Sequence, residues 1–143
     1  MLPMTAQASR NDGAVRGDFA KPTSVLIVDD NADMRSFVKI VLERAGFEAQ
    51  VAADGERALD LQREHPVDVL ITDIFMPERD GIELIHQFKS AYPLVKIIAM
   101  SGGGRVSNMD YLPFAKDIGA DLVLRKPFAA DTLLSMLQDL GPH

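Results

Sequence analysis

Two hydrophobic rhythms alternate along the chain, and their order defines the fold. Residues 1–22 follow neither: they are small and polar and read as a flexible N-terminal tail. The pattern changes at residue 23. Ser24-Val25-Leu26-Ile27-Val28 is a continuous apolar run, as a parallel strand buried on both faces requires. Asn31 suits the cap of a helix to about Ala45, with Met34, Phe37, Val38, Val41 and Ala45 as its apolar stripe and Gly46 as its stop. Glu48–Ala52 reads as a second strand, and Asp54 caps a helix to about Glu64, closed by Pro66. Asp68–Thr72 is a third strand, Gly81–Ala91 a third helix ended by Pro93, and Val95–Met100 a fourth strand. After a glycine loop comes a helix near Tyr111–Ile118, with Pro113 in its first turn, where a missing N–H costs little. Asp121–Leu124 is a fifth strand. Ala129–Leu140 is the last helix, with Leu133, Leu134 and Leu137 facing inward and Met136 and Leu140 at the core edge.

Five strands alternating with five helices predict one α/β domain over residues 23–140, with 141–143 as a short C-terminal tail. Right-handed crossovers leave few topologies. The best fit is a flavodoxin-like (βα)5 three-layer sandwich with a parallel sheet of order 2-1-3-4-5. Its active crevice lies outside the carboxyl ends of the first and third strands. No second domain follows, so a stand-alone module without an effector domain is expected.

Composition narrows the chemistry. There is no cysteine among the 143 residues, which removes disulfides, thiolate metal sites and thiol catalysis. No apolar run approaches the ~20 residues that span a bilayer, and the N-terminus has no apolar signal core, so a cytoplasmic protein without membrane contact is expected. The formal charge is -6. Residues 1–22 hold three cations against two acids, a balance of +1, so the remainder carries -7. Nucleic-acid binding needs clustered Lys and Arg, so it is not expected. The histidines His65, His86 and His143 show no ligand spacing and are assigned to the surface.

The chemistry-bearing residues all fall at the predicted crevice. Asp29 and Asp30 follow the first strand, Asp73 the third, Ser101 the fourth and Lys126 the fifth. Three carboxylates cannot crowd together without a cation to offset their repulsion. An oxygen-only donor set suits a hard ion, and Mg²⁺ fits best. Such a site can hold a phosphoryl group, and a carboxylate there can act as nucleophile.

The strings Val28-Asp29-Asp30-Asn31, Asp73-Ile74-Phe75-Met76-Pro77 with Asp80-Gly81, Ser101-Gly102 and Lys126-Pro127-Phe128 resemble the receiver domain of two-component response regulators. The resemblance covers about residues 23–140. Each motif alone is weak; four in order, each at a predicted strand end, are specific. The resemblance implies Asp73 as phosphoacceptor, with Asp29, Asp30 and the backbone carbonyl of Phe75 completing a Mg²⁺ site. It implies that Lys126 pairs with phosphoryl oxygens and that Ser101 moves to bond the phosphoryl group, with Gly102 leaving room. It also implies a cis Lys126-Pro127 bond. Partners would be a sensor histidine kinase or histidine phosphotransfer protein and an unknown output protein. The chain would be a monomer or a weak phosphorylation-dependent dimer, and not a dedicated enzyme beyond slow self-dephosphorylation. Val123 departs from the pattern. Receivers often carry Tyr or Phe three residues before the lysine, so output here is expected through backbone and helix shifts around Ser101. The adjoining Gly102-Gly103-Gly104 makes that loop permissive.

Three alternatives remain open on the residues alone. A Mg²⁺-dependent phosphatase would place an aspartyl nucleophile on the first strand with a second acid two residues on, which Asp29-Asp30-Asn31 lacks. The glycine loop could cradle a nucleotide phosphate, but without the Lys-Ser/Thr that ends a P-loop. A degenerate receiver would bind partners without phosphate, although its acid set and Lys126 are complete.

Overall fold

A run of backbone hydrogen bonds between five parallel strands organises the chain, in a computed structural model that describes residues 23–76, 81–102, 116–117 and 119–141. The strands are β1 (Ser24–Val28), β2 (Glu48–Ala52), β3 (Val69–Asp73), β4 (Lys96–Gly102) and β5 (Leu122–Lys126). Their order is β2-β1-β3-β4-β5, all pairs parallel, the order expected for a flavodoxin-like sandwich. Four helices are described: α1 (Ala32–Arg44), α2 (Gly55–Glu64), α3 (Gly81–Ala91) and α4 (Ala130–Asp139). Of the helix expected near Tyr111–Ile118, only Lys116 and Asp117 are described, and both are helical; the rest lies outside the described residues. So do the tail 1–22, Pro77, Asp80, Gly103, Gly104 and His143.

Local chemistry sets the helix ends. The Asn31 side chain accepts the Met34 N–H at 2.9 Å, and the Asp54 side chain accepts the Arg57 N–H at 2.8 Å. Each satisfies a donor that the first helical turn leaves unpaired. Gly46 takes φ 96° after α1, a left-handed turn that a side chain would strain.

The sheet separates two apolar layers. Leu26, Leu70 and Ile97 face α2 and α3, packing with Ala58, Leu84, Ile85 and Phe88. Val25, Ile27, Ile71 and Ile98 face α1 and α4, packing with Val38, Leu42, Leu133 and Leu137. Every residue of β1 and β3 is buried, as central parallel strands should be. Met136 and Leu140 lie partly buried at the edge of the second layer, and Val123 at the edge of the first. His65 and His86 are exposed. None of the described helices is long and apolar enough to cross a membrane.

Three strand ends run further than the apolar runs suggest. Asp73 closes β3, Ser101 lies inside β4, and Lys126 closes β5, rather than following them. The reason is that backbone pairing outlasts hydrophobicity: Asp73 pairs with Met100, Ser101 with Arg125 and Gly102 with Lys126. The polar groups therefore stand on ladder-bonded backbone instead of loops.

Candidate functional site

The carboxyl ends of β1, β3 and β5 gather the charged residues. Asp29 follows β1, and its N–H still donates to the Ala52 carbonyl of β2 at 3.2 Å. It is fully buried. Both its carboxylate oxygens are occupied: Oδ1 accepts the Asn31 N–H at 2.9 Å and Oδ2 accepts Lys126 Nζ at 2.7 Å. Arg35 of α1 donates from Nη1 to the Asp29 carbonyl oxygen at 2.8 Å, pinning the β1–α1 turn from its helix side. Asp30, the next residue, is exposed. The acidic pair thus divides into one inner and one outer carboxylate.

Asp73 sits where β3 leaves the sheet. Its Oδ1 accepts the Phe75 N–H at 3.2 Å and its Oδ2 accepts Lys126 Nζ at 3.0 Å. The Thr72 hydroxyl donates to the Asp73 carbonyl oxygen at 3.0 Å. Beyond it, the Ile74 N–H donates to the Met100 carbonyl at 2.9 Å, and the Ile74 carbonyl accepts the Gly81 N–H at 2.8 Å. The phosphoacceptor candidate is thus held from the β4 side and from the start of α3.

Lys126 reaches from β5 past the end of β4 to both acids. Gly102 lies opposite it in register, and a Cβ there would touch the Lys126 Cδ at 3.8 Å. The peptide that follows, Lys126-Pro127, is cis. One carboxylate oxygen from each of Asp29, Asp30 and Asp73 lies within 4.8 Å of the others. Ser101 is buried in β4, one residue beyond the Met100 that pairs with Asp73.

The electrostatics follow from burial and crowding. Burial pushes the Asp73 carboxyl above its ordinary value; the Lys126 charge and hydrogen bond and the Phe75 N–H pull it down without prevailing, and Asp29 adds repulsion. For Lys126, burial is the largest single influence and would depress the ammonium. The hydrogen bonds and charges of Asp29 and Asp73 together outweigh it and hold the ammonium above its ordinary value. The crowded acids therefore have a built-in counter-ion, a role for Lys126 additional to the phosphoryl contact expected of it. Three carboxylates at the mouth of a sheet, grouped with no histidine or cysteine among the described residues, also fit a hard divalent cation of the Mg²⁺ type.

All six residues singled out from the sequence, Asp29, Asp30, Asp73, Phe75, Ser101 and Lys126, stand at this one end of the sheet. Two contributors went unassigned. Arg35 grips the Asp29 carbonyl, for which the only signal is its place one turn into the capped helix. Gly81 was noted as part of a motif but given no task; its N–H bond to Ile74 places it against the Asp73 backbone.

The fold agrees with the comparisons. A family profile described as the response regulator receiver domain matches residues 25–138. Among curated proteins, the chain is 36% identical over 116 residues to a putative response regulator NtrX-like of Rickettsia bellii, covering 80% of this chain and 24% of that protein. It is 33% identical over 119 residues to the response regulator MprA of a Mycobacterium species, covering 83% and 50%. The chain thus spans a quarter to a half of the length of these relatives. Among solved structures, the chemotaxis protein CheY4 of Vibrio cholerae superposes with a TM-score of 0.74 at 33% identity, over 82% of this chain and 98% of that one. NtrX from Brucella abortus gives 0.77 at 28% identity, over 82% and 26%. Profile, relatives and fold coincide on the same stretch that carries the acidic cluster, and the chain belongs to the response regulator receiver domain family.

Proposed function

We propose that this chain is a phosphorylation-driven signalling switch whose Asp73 accepts a phosphoryl group from a sensor histidine kinase or a histidine phosphotransfer protein. The observation that carries the reading is the position of Asp73: its Oδ2 lies 3.0 Å from Lys126 Nζ, inside a cluster of three carboxylates. In the transfer, an Asp73 carboxylate oxygen attacks phosphorus. The O–P bond forms as the P–N bond to the donor imidazole breaks, and the electron pair stays on the imidazole nitrogen. Asp29, Asp30, Asp73 and the Phe75 carbonyl would hold Mg²⁺, which when bound supplies positive charge against the phosphoryl oxygens. Lys126 exchanges its contact with Asp73 for one with a phosphoryl oxygen while Asp29 keeps hold of its ammonium. Ser101 turns its hydroxyl to the phosphoryl group. With Val123 in place of a ring, backbone and helix shifts around Ser101 carry the signal to a protein partner or to onward phosphotransfer. We place this activity in the cytoplasm, on a domain that is not a dedicated enzyme and does not itself hold nucleic acid.

Incubation with acetyl phosphate and Mg²⁺, read by intact-mass spectrometry, tests the reading. Wild type gains one phosphoryl group and Asp73→Asn gains none. Equal labelling of Asp73→Asn would refute the assignment. Failure of wild type to be labelled by acetyl phosphate or by any histidine kinase would favour a phosphorylation-independent binding module.

A further inference from the structure

We infer that Gly81 is a positioning residue for the acidic site: it sets the backbone of Asp73–Phe75, and through it the selectivity of the site for Mg²⁺ over larger divalent cations. A Cβ on Gly81 would fall 1.8 Å from the Asp73 carbonyl oxygen, 2.8 Å from the Asp73 carbonyl carbon and 2.9 Å from the Ile74 Cα. All three atoms are backbone, so no side chain can swing aside. To reach even the 3.0 Å that real Cβ contacts respect, α3 and the end of β3 must separate by 1.2 Å, the difference from 1.8 Å. Gly102, Gly119 and Gly46 face no backbone wall: Gly102 would meet only the Lys126 stem at 3.8 Å, Gly119 only the Lys89 side chain at 2.8 Å, and Gly46 open space.

Gly81 is helical, the first residue of α3, so its backbone makes no demand for glycine. It opens α3, where intrinsic propensity favours alanine. The demand is therefore for space against Asp73. That carbonyl is further gripped by the buried Thr72 hydroxyl at 3.0 Å, and the adjoining Ile74 peptide is fixed at both ends, to Met100 and to Gly81. A Cβ at residue 81 therefore presses on backbone that is hydrogen-bonded on the sheet side. On this inference it displaces the peptides that present the Asp73 carboxylate and the Phe75 carbonyl.

The consequence for metal choice rests on the proposed Mg²⁺ site. Mg²⁺ demands near-octahedral oxygens at about 2.0–2.1 Å, whereas Ca²⁺ accepts irregular shells at about 2.3–2.6 Å. A displaced carbonyl and carboxylate thus harm Mg²⁺ binding more than Ca²⁺ binding. A residue that merely stabilised the fold would affect both ions alike.

Calorimetric titration of wild type, Gly81→Ala and Leu137→Ala with MgCl₂ and with CaCl₂ tests this. Leu137 lies in the opposite apolar layer and serves as a destabilised control. Gly81→Ala should lose about tenfold or more in Mg²⁺ affinity, the scale of supporting-residue effects on metal sites, and less than about threefold in Ca²⁺ affinity. Leu137→Ala should keep both within about twofold of wild type. An unchanged Mg²⁺/Ca²⁺ ratio in folded Gly81→Ala would overturn the inference. If Gly81→Ala does not fold, Thr72→Val releases the same carbonyl more gently; a ratio shifted in the same direction supports the inference and an unchanged one overturns it. If wild type binds neither ion, the metal reading fails by itself. The positioning role then stands or falls on amide chemical shifts: movement at Ile74 and Phe75 in Gly81→Ala supports it, and movement confined to α3 refutes it.

Discussion

Replacing Lys126 by methionine keeps the side-chain stem and removes a charge that bridges Asp29 and Asp73. The ammonium lies 2.7 Å from Asp29 Oδ2 and 3.0 Å from Asp73 Oδ2. The three side chains are 16%, 0% and 10% exposed, so solvent screens these contacts little. At an effective dielectric of ~20, each contact is worth ~5–6 kcal/mol before desolvation is subtracted. Burying the ammonium costs several kcal/mol, which offsets a large part of that sum. Deleting one partner of a buried pair leaves the opposite charge uncompensated and costs ~3–5 kcal/mol. Asp73, already easier to protonate than an ordinary carboxylate, can take up a proton and relieve part of this strain, which places the loss near ~3 kcal/mol at neutral pH. With a urea slope of ~1.5–2 kcal/mol/M, the unfolding midpoint falls by ~1.5–2 M. Equilibrium unfolding followed by circular dichroism, with and without millimolar Mg²⁺, reads this directly. The metal should stabilise Lys126→Met more than wild type, because it supplies the missing charge without displacing an ammonium. Two results would refute the reasoning: a midpoint loss below ~0.3 M, or equal Mg²⁺ stabilisation of the two proteins.

Other perturbations probe the same architecture. The raised Asp73 value means that the folded state binds a proton more readily than the unfolded chain, so metal-free stability falls as pH rises from the ordinary value of 3.8 through the folded one. Asp73→Asn should flatten that limb and be at least as stable as wild type at pH 7 without Mg²⁺; pH-dependent urea titrations would show a preserved limb if the burial argument is wrong. Lys126 acts on the alkaline side: its contribution is complete below the ordinary 10.5 and disappears as pH climbs through its raised folded value, a loss absent from Lys126→Met. Asn31→Ala removes the α1 cap and should cost ~1 kcal/mol in thermal or urea unfolding. Phe88→Ala empties the centre of the α2–α3 layer and should cost ~3–5 kcal/mol, and a loss under ~1 kcal/mol would show that the layer collapses around the gap.

Much of this fold is legible in the sequence because each local signal agrees with the others. The apolar runs of β1 and β3, the caps at Asn31 and Asp54, and the stop at Gly46 each name one element, and right-handed crossovers then leave few sheet orders to choose from. The site is legible for the same reason. A parallel sheet delivers the residues after every strand to one edge, so Asp29, Asp73, Ser101 and Lys126 are neighbours as soon as the strands are known. Strand ends are less legible, since the ladder continues through polar residues once its neighbour is in register, as at Ser101 and Lys126.

What the sequence does not show is which contacts compete for the same atoms. Lys126 reads as a phosphoryl ligand, yet its ammonium is held by Asp29 and Asp73 together. A group that neutralises the pocket must be partly released from Asp73 before it can serve a phosphoryl oxygen. Asp29 makes that release inexpensive: it is fully buried, its Oδ1 is fixed by the Asn31 N–H, and its Oδ2 keeps the shorter of the two contacts with the ammonium. The lysine can therefore pivot on Asp29 rather than return to solvent, and the inner acid of the pair acts as its anchor. Sequence places Asp29 and Asp30 side by side as equals. Burial separates them: on the proposed reading the inner carboxylate would anchor Lys126 as well as face the cation, while the exposed one would meet the cation from the solvent side.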